Sequence, residues 1–428
     1  MNMESPLEVL LLCATTLVTA QTVSDHIRAI STLSHHNVHR LDLRQLGGHS
    51  LPTRLNLDRF DVILIHYSVY ILDNRHLDED AKTAIRTFSG LKGVFIQDEY
   101  RRVNDAMHAM RSLGIRLLFT CIPEFEVDNV YPSNTLPNVR KITTLTGFVP
   151  ADFVSRVVPP ISQRPIDVGY RGRKLPYHLG RLGLEKCEIV ARFHEATRGS
   201  GLYCDLSFDE KQRLYGRRWI RFLTSCRAVL GTESGASVVD FTGEIERRVD
   251  EYVRAHPSAS FGEVSAMFFA SEEERFRLNQ ISPRCFEAAA LRTAMVLFEG
   301  EYSGVLTPWR HYVPLAKDFS NINEVLRTLR DSAMLQQIAD HAYYEVACNQ
   351  DYSYARFVRE IDHILAEEAP KSRTRTARAY TPLTMMSLNL PARMILLAIR
   401  GWNRLPMRAR IALKPLLKPM ATRLLSLR

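Results

Sequence analysis

Over the first 150 residues, short runs of consecutive apolar residues alternate with longer stretches whose apolar positions recur every three to four residues. The runs at 7–12, 38–43, 61–66, 93–97, 115–120 and 141–146 read as strands. The periodic stretches 23–34, 78–88 and 103–113 between them read as amphipathic helices. Strands that are apolar throughout, rather than on alternate residues, are covered on both faces. With helices between them, they imply a parallel sheet. In such sheets, ligand-contacting residues gather at the carboxyl ends of the strands. That places residues 15–22, 66–68, 97–100 and 120–121 at a candidate cleft.

Pro150, Pro159, Pro160 and Pro165 interrupt the pattern and mark a boundary. The alternation then restarts, with strands expected at 167–170, 202–206, 227–231, 294–298 and 311–315. Helices are expected at 179–197, 212–224, 284–292, 322–330, 333–345 and 354–368. The stretch 232–280 is too long for a plain connection, and its helical patterns at 244–255 and 263–270 read as an inserted piece. The expected organisation is an α/β unit at 1–155, a second at 165–345, a closing helix within 346–369 and a tail at 370–428. Two successive α/β units imply a cleft between them, the usual place for a ligand.

Composition adds three points. The net charge of +9 is uneven: residues 370–428 hold thirteen Lys or Arg and no Asp or Glu, and the rest carries 43 bases against 47 acids. Leu, Ile and Met interleave those bases at 388–399 and 407–427. This pattern suits the surface of an anionic membrane better than nucleic acid. Seven cysteines at wide spacings, with no CxxC pair, read as reduced thiols in a cytoplasmic protein. The apolar stretch 9–20 lacks a basic flank, since Glu4 and Glu8 precede it, so it reads as a strand rather than a secretion signal.

Several groups could carry chemistry. Gly169, Arg171, Gly172 and Arg173 form a glycine-and-arginine turn after the first strand of the second unit, and Lys186 lies on the next helix; these cations suit phosphate oxygens. Ser282 and Pro283 start a helix whose free N–H groups favour an anion. Arg284 lies on the same face as Glu287, a carboxylate suited to vicinal hydroxyls. Glu233 and Ser234 follow one strand, and Glu301 and Tyr302 another, where Gly300 and Gly304 permit a tight closing loop. In the first unit, Asp98, Glu99 and His66 are candidate bases for deprotonating a hydroxyl. The run His35, His36 and His39 has no carboxylate nearby in sequence and reads as surface histidines. No metal is expected.

The sequence Arg284, Phe286, Glu287, Ala288, Ala289, Ala290, followed by an apolar strand, resembles the donor-site helix of GT-B glycosyltransferases, in particular the group-1 (family 4-like) and CgeB-like branches. The turn Gly169 to Arg173 belongs to the same resemblance. It implies two Rossmann-like domains facing a cleft, with the nucleotide sugar on the second and a glycan or lipid-linked acceptor on the first. Glu287 would hold the ribose, Arg173 and Lys186 the diphosphate, with no cofactor besides the donor. The implied role is in cell-envelope or surface polysaccharide synthesis, in the cytoplasm at the inner membrane face. A second glutamate usual in that family is replaced here by Asn279. That replacement favours one alternative, a degenerate scaffold in a glycan-assembly complex; a second alternative is a nucleotide-sugar epimerase of the same fold.

Overall fold

In the computed structural model, residues 5–15, 21–43, 51–52, 54–74, 76–370 and 380–389 are described. The first unit is a six-stranded parallel sheet made of β1 (Glu8–Cys13), β2 (Asn37–Asp42), β3 (Val62–Ile65), β4 (Leu91–Ile96), β5 (Leu117–Thr120) and β6 (Arg140–Thr143). Their order is β2-β1-β3-β4-β5-β6. Helices α1 (Gln21–Leu33), α2 (Glu79–Thr87), α3 (Val103–Leu113) and α4 (Glu124–Val130) lie among them. Strand β1 shows why an unbroken apolar run is required. Leu10 and Leu12 enter the cluster on one face of the sheet, while Val9, Leu11 and Cys13 enter the cluster on the other. Each such leucine contributes about 1.5–3 kcal/mol by leaving water, so a polar residue at any of these positions would be costly.

The second sheet contains β7 (Ile166–Arg171), β8 (Cys204–Ser207), β9 (Cys226–Gly231), β10 (Ala294–Phe298) and β11 (Val313–Leu315). It is also parallel, in the order β11-β10-β9-β7-β8. Helices α5 (Ala151–Val154), α6 (Gly180–Ala196), α7 (Arg217–Ser225), α8 (Glu244–Ala255), α9 (Phe261–Phe268), α10 (Pro283–Ala290), α11 (Ile322–Arg330) and α12 (Ser332–Ala342) accompany it. All eleven expected strands are present. Gly169 serves packing inside the unit. A Cβ there would meet Cys226 Sγ at 2.3 Å and the Phe222 ring at 2.8 Å. The glycine therefore admits β9 and α7, not a ligand. Helices α8 and α9 close over a small cluster of Val238, Val249, Val264 and Phe269.

After α12 the chain returns to the first unit. Helix α13 (Tyr354–Glu368) buries Phe357, Val358, Ile361 and Leu365 against the face that holds Val9 and Leu11. Asp362 on α13 accepts hydrogen bonds from Ser34 Oγ (2.6 Å) and the His35 N–H (3.0 Å), and pairs with His35 Nδ1 at 2.7 Å. His36 is buried between Leu7 N and the Asp362 carbonyl, and His39 meets Glu8. The reading of these as surface histidines without carboxylates is thus corrected: the partners come from distant sequence, which local spacing does not reveal. Both His36 ring nitrogens are occupied, so the cluster acts as a clasp.

The beginning of the basic tail also docks. Tyr380 Oη accepts from Asn56 N (2.8 Å) and donates to the Arg54 carbonyl. Helix α14 (Pro382–Leu388) lies along β2, where Asn389 Oδ1 accepts from Asp42 N at 2.9 Å. The amphipathic stretch at 407–427, and that at 388–399 beyond Asn389, lie outside the described residues. Among the described residues no helix is long and apolar enough to cross a membrane.

Candidate functional site

The carboxyl ends of the two sheets face each other across a cavity of about 530 Å³. Strand β4 runs out into Gln97 and Asp98 on one wall. The turn after β7 brings Gly172 and Arg173 to the other, with Lys186 from α6 and Ser282 and Arg284 from the start of α10. The halves are joined around it. Arg101 pairs with Glu246 of α8, Asp240 N donates to the Tyr100 carbonyl (2.9 Å), and Gln280 Nε2 donates to the Cys121 carbonyl (2.6 Å). Thr146 Oγ1 donates to the Ile281 carbonyl.

Arg173, Lys186 and Arg284 carry no ion pair among the described residues. Arg284 donates to the Arg171 carbonyl and lies over the Trp219 ring, 5.2 Å from its centre. Burial, reinforced by Arg284 and Arg173 and opposed by Asp98, pushes the Lys186 ammonium down to about 8. Ser282 occupies the N-cap position and Pro283 the first turn, as expected. However, the Ser282 hydroxyl makes no capping bond, so it faces the cavity free of that duty. The positive end of the α10 dipole and the three cations together form a strongly anion-favouring corner.

The structure turns other candidates away from the cavity. Arg171 grips Asp205 through two hydrogen bonds of 2.8 and 2.7 Å and stacks on Phe222. Its place at the end of β7 points it along the sheet toward β8. Glu287 is buried and accepts from Trp219 Nε1 at 2.7 Å. Desolvation pushes its carboxyl up to about 7, against the indole bond and Arg284. Glu233 is also buried. It accepts from Asn279 Nδ2 (2.7 Å) and from the N–H groups of Glu301 and Tyr302 (3.1 and 2.9 Å), so it holds the loop after β10. Ser234 remains at the cavity wall. Tyr302 is fully buried with its hydroxyl on the Phe298 carbonyl, and Glu301 pairs with Arg277 beside a different cavity.

The three candidate bases also separate. Asp98 is exposed in the cavity and accepts from Tyr100 Oη at 2.9 Å. Glu99 points inward to Thr120 Oγ1 and Cys121 N, and burial pushes it up to about 8. His66 is buried, its Nε2 3.0 Å from His26 Nδ1 and its Nδ1 2.9 Å from Ser68 Oγ. Desolvation lowers its basicity well below the ordinary histidine value. Sequence reasoning missed Trp219 and Gln280. Trp219 was detectable only as a large polar-tipped ring on an expected helix. Gln280 sits in a stretch with no periodic signal.

No family model matches the chain, and no curated protein matches it. Among solved structures, an α-glucosyltransferase in complex with UDP-glucose and DNA containing an abasic site superposes with a TM-score of 0.53. It is 10% identical, and the match covers 85% of this chain and 100% of that one. The Anabaena protein Alr3699/HepE in complex with UDP matches at 10% identity and TM-score 0.43, over 84% of this chain and 100% of its own. The first likeness establishes the fold: two Rossmann-like halves around a cleft, the GT-B arrangement.

Proposed function

We propose that this protein is a glycosyltransferase that moves a sugar from a nucleoside-diphosphate sugar to a hydroxyl acceptor. One observation carries the reading. Arg173, Lys186 and Arg284 converge at the N-terminus of α10 with no carboxylate paired to them among the described residues. Three like charges held together repel one another, and a bound diphosphate removes that cost. As the bond from the sugar to the diphosphate breaks, negative charge grows on the leaving oxygen, where fixed cations and the helix dipole stabilise it most. Asp98 stands on the opposite wall, where it would accept the proton of the attacking hydroxyl. Glu287 would take the ribose once Trp219 releases it. The donor is a substrate, and the proposal calls on no separate cofactor.

The solved structures matched above contain UDP or UDP-glucose, which makes uridine nucleotides the first ligands to try. The reading is tested by calorimetric titration with UDP and GDP. One of them should bind, and Arg173→Ala and Arg284→Ala should each weaken binding at least tenfold, the loss of a charge-assisted contact of about 1.5–3 kcal/mol. Failure of both nucleotides to bind would overturn it. We further propose that the basic tail holds the protein on an anionic membrane, where a lipid-linked or envelope glycan is glycosylated. Sedimentation with anionic vesicles but not with neutral ones would support this, and equal sedimentation with both would sink it.

A further inference from the structure

A second cavity, of about 640 Å³, opens at the β6 edge of the first sheet, between α13 and the loop after β10. Its floor is apolar: Phe119, Ile142 and Leu145 from the sheet side meet Phe357, Ile361 and Ile364 from α13. Phe125 overhangs the mouth and is 60% exposed. The charges on the rim are unevenly committed. Arg140 is bound to Glu367 and Glu368 at 3.0 Å each, and Arg277 to Glu301 at 2.6 Å. The rim carboxylates of Glu124 and Asp351 have no cationic partner among the described residues. An anionic head group would therefore meet free carboxylates and no free cation, in contrast to the first cavity.

The two cavities lie on either side of the same two loop segments. Asn279 faces the second and Gln280 the first; Leu145 faces the second and Thr146 the first. A molecule with its apolar body in the second cavity would sit directly behind residues that line the proposed donor site. We infer that this cavity binds an uncharged amphiphile through its apolar body. That the amphiphile is the acceptor rests on the reading under Proposed function; the binding itself does not.

The test is calorimetry with hexyl, octyl and nonyl β-glucoside, each kept monomeric, on the full chain. Affinity should rise roughly fourfold per methylene, and octyl sulfate should bind at least tenfold more weakly than octyl glucoside. Ile142→Trp fills the cavity and should weaken octyl glucoside at least tenfold while leaving UDP titration unchanged. Phe125→Ser, at an exposed position that does not threaten folding, should weaken it about threefold, the loss of part of an apolar contact. Affinity independent of chain length, equal binding of octyl sulfate, or full affinity in both variants would overturn the proposal. If octyl glucoside binds as described and no nucleotide does, the donor reading falls and this site remains.

Discussion

Lys186 is held in a state that should be visible in binding. Burial and two guanidinium neighbours bring its proton loss to about pH 8. A diphosphate needs the ammonium protonated, so affinity should be full below that value and fall as pH rises through it. Lys186→Met should bind UDP more weakly at pH 7 and show a flat profile from pH 7 to 9; an unchanged decline would mean that another group titrates. Glu287 gives the opposite kind of readout. Its carboxyl is raised from an ordinary 4.5 to about 7 by burial, so the stability that goes with its protonated form is present below about 4.5. That stability is lost as pH climbs through 7. Glu287→Gln, which keeps an acceptor for Trp219, should match the parent near pH 4 and exceed it at pH 8. The excess should be on the order of 3 kcal/mol by urea unfolding. At this scale the sequence was only partly legible. The carboxyl end of a strand can be located from a pattern. Whether Asp98 or Glu99 turns into the cleft depends on Thr120 and Cys121, which are supplied by the neighbouring strand β5 and the residue that follows it.

Elements were far more legible, because their signal is the cost of burial itself. Runs such as 7–12 must be apolar at every residue to serve two faces. Helices such as Val103–Leu113 must repeat at helical spacing to serve one. Helix α4 escaped notice for the same reason: Glu124, Glu126, Asp128 and Asn129 leave it little apolar periodicity, and tertiary contacts hold it. The loop after β10 was legible as a tight turn but not in its cause. Tyr302 and Ser303 both adopt left-handed backbone, at φ of 46° and 54°, followed by Gly304 at 72°. Such residues cost of order 1–2 kcal/mol each. The Glu233 carboxylate offsets this by accepting from two consecutive N–H groups of the loop. Glu233→Ala should therefore cost about 2–4 kcal/mol, since it leaves buried donors unmet. Amide exchange across 299–304 should accelerate beyond the global change. Exchange that rises only uniformly would show that the carboxylate does not hold this loop in particular.

At the scale of the molecule, the two halves are tied at several points around the cleft. Arg101 and Glu246 close one side, while Gln280 and Thr146 cross beside the wall shared by the two cavities. Helix α13 then straps the second half to the back of the first through Asp362. None of these ties was legible in sequence, because each joins residues about 130 or more positions apart. The Arg101–Glu246 pair is two-pronged, with Arg101 Nε 2.8 Å from Glu246 Oε2, and partly shielded from water. It should therefore exceed the small value of an exposed pair. An arrangement with the halves apart would break this pair, so removing it should shift the population toward an open cleft without unfolding either half. For Arg101→Ala, X-ray scattering should give a larger radius of gyration than the parent, with a melting temperature within a few degrees of it. Saturating UDP, which the proposed function seats mainly on the second half, should restore compactness only if it also engages the Asp98 side. An unchanged radius in Arg101→Ala would place the closure in the contacts of Gln280 and Thr146. The same measurement on Gln280→Ala then decides which side of the cleft acts as the hinge and which as the latch.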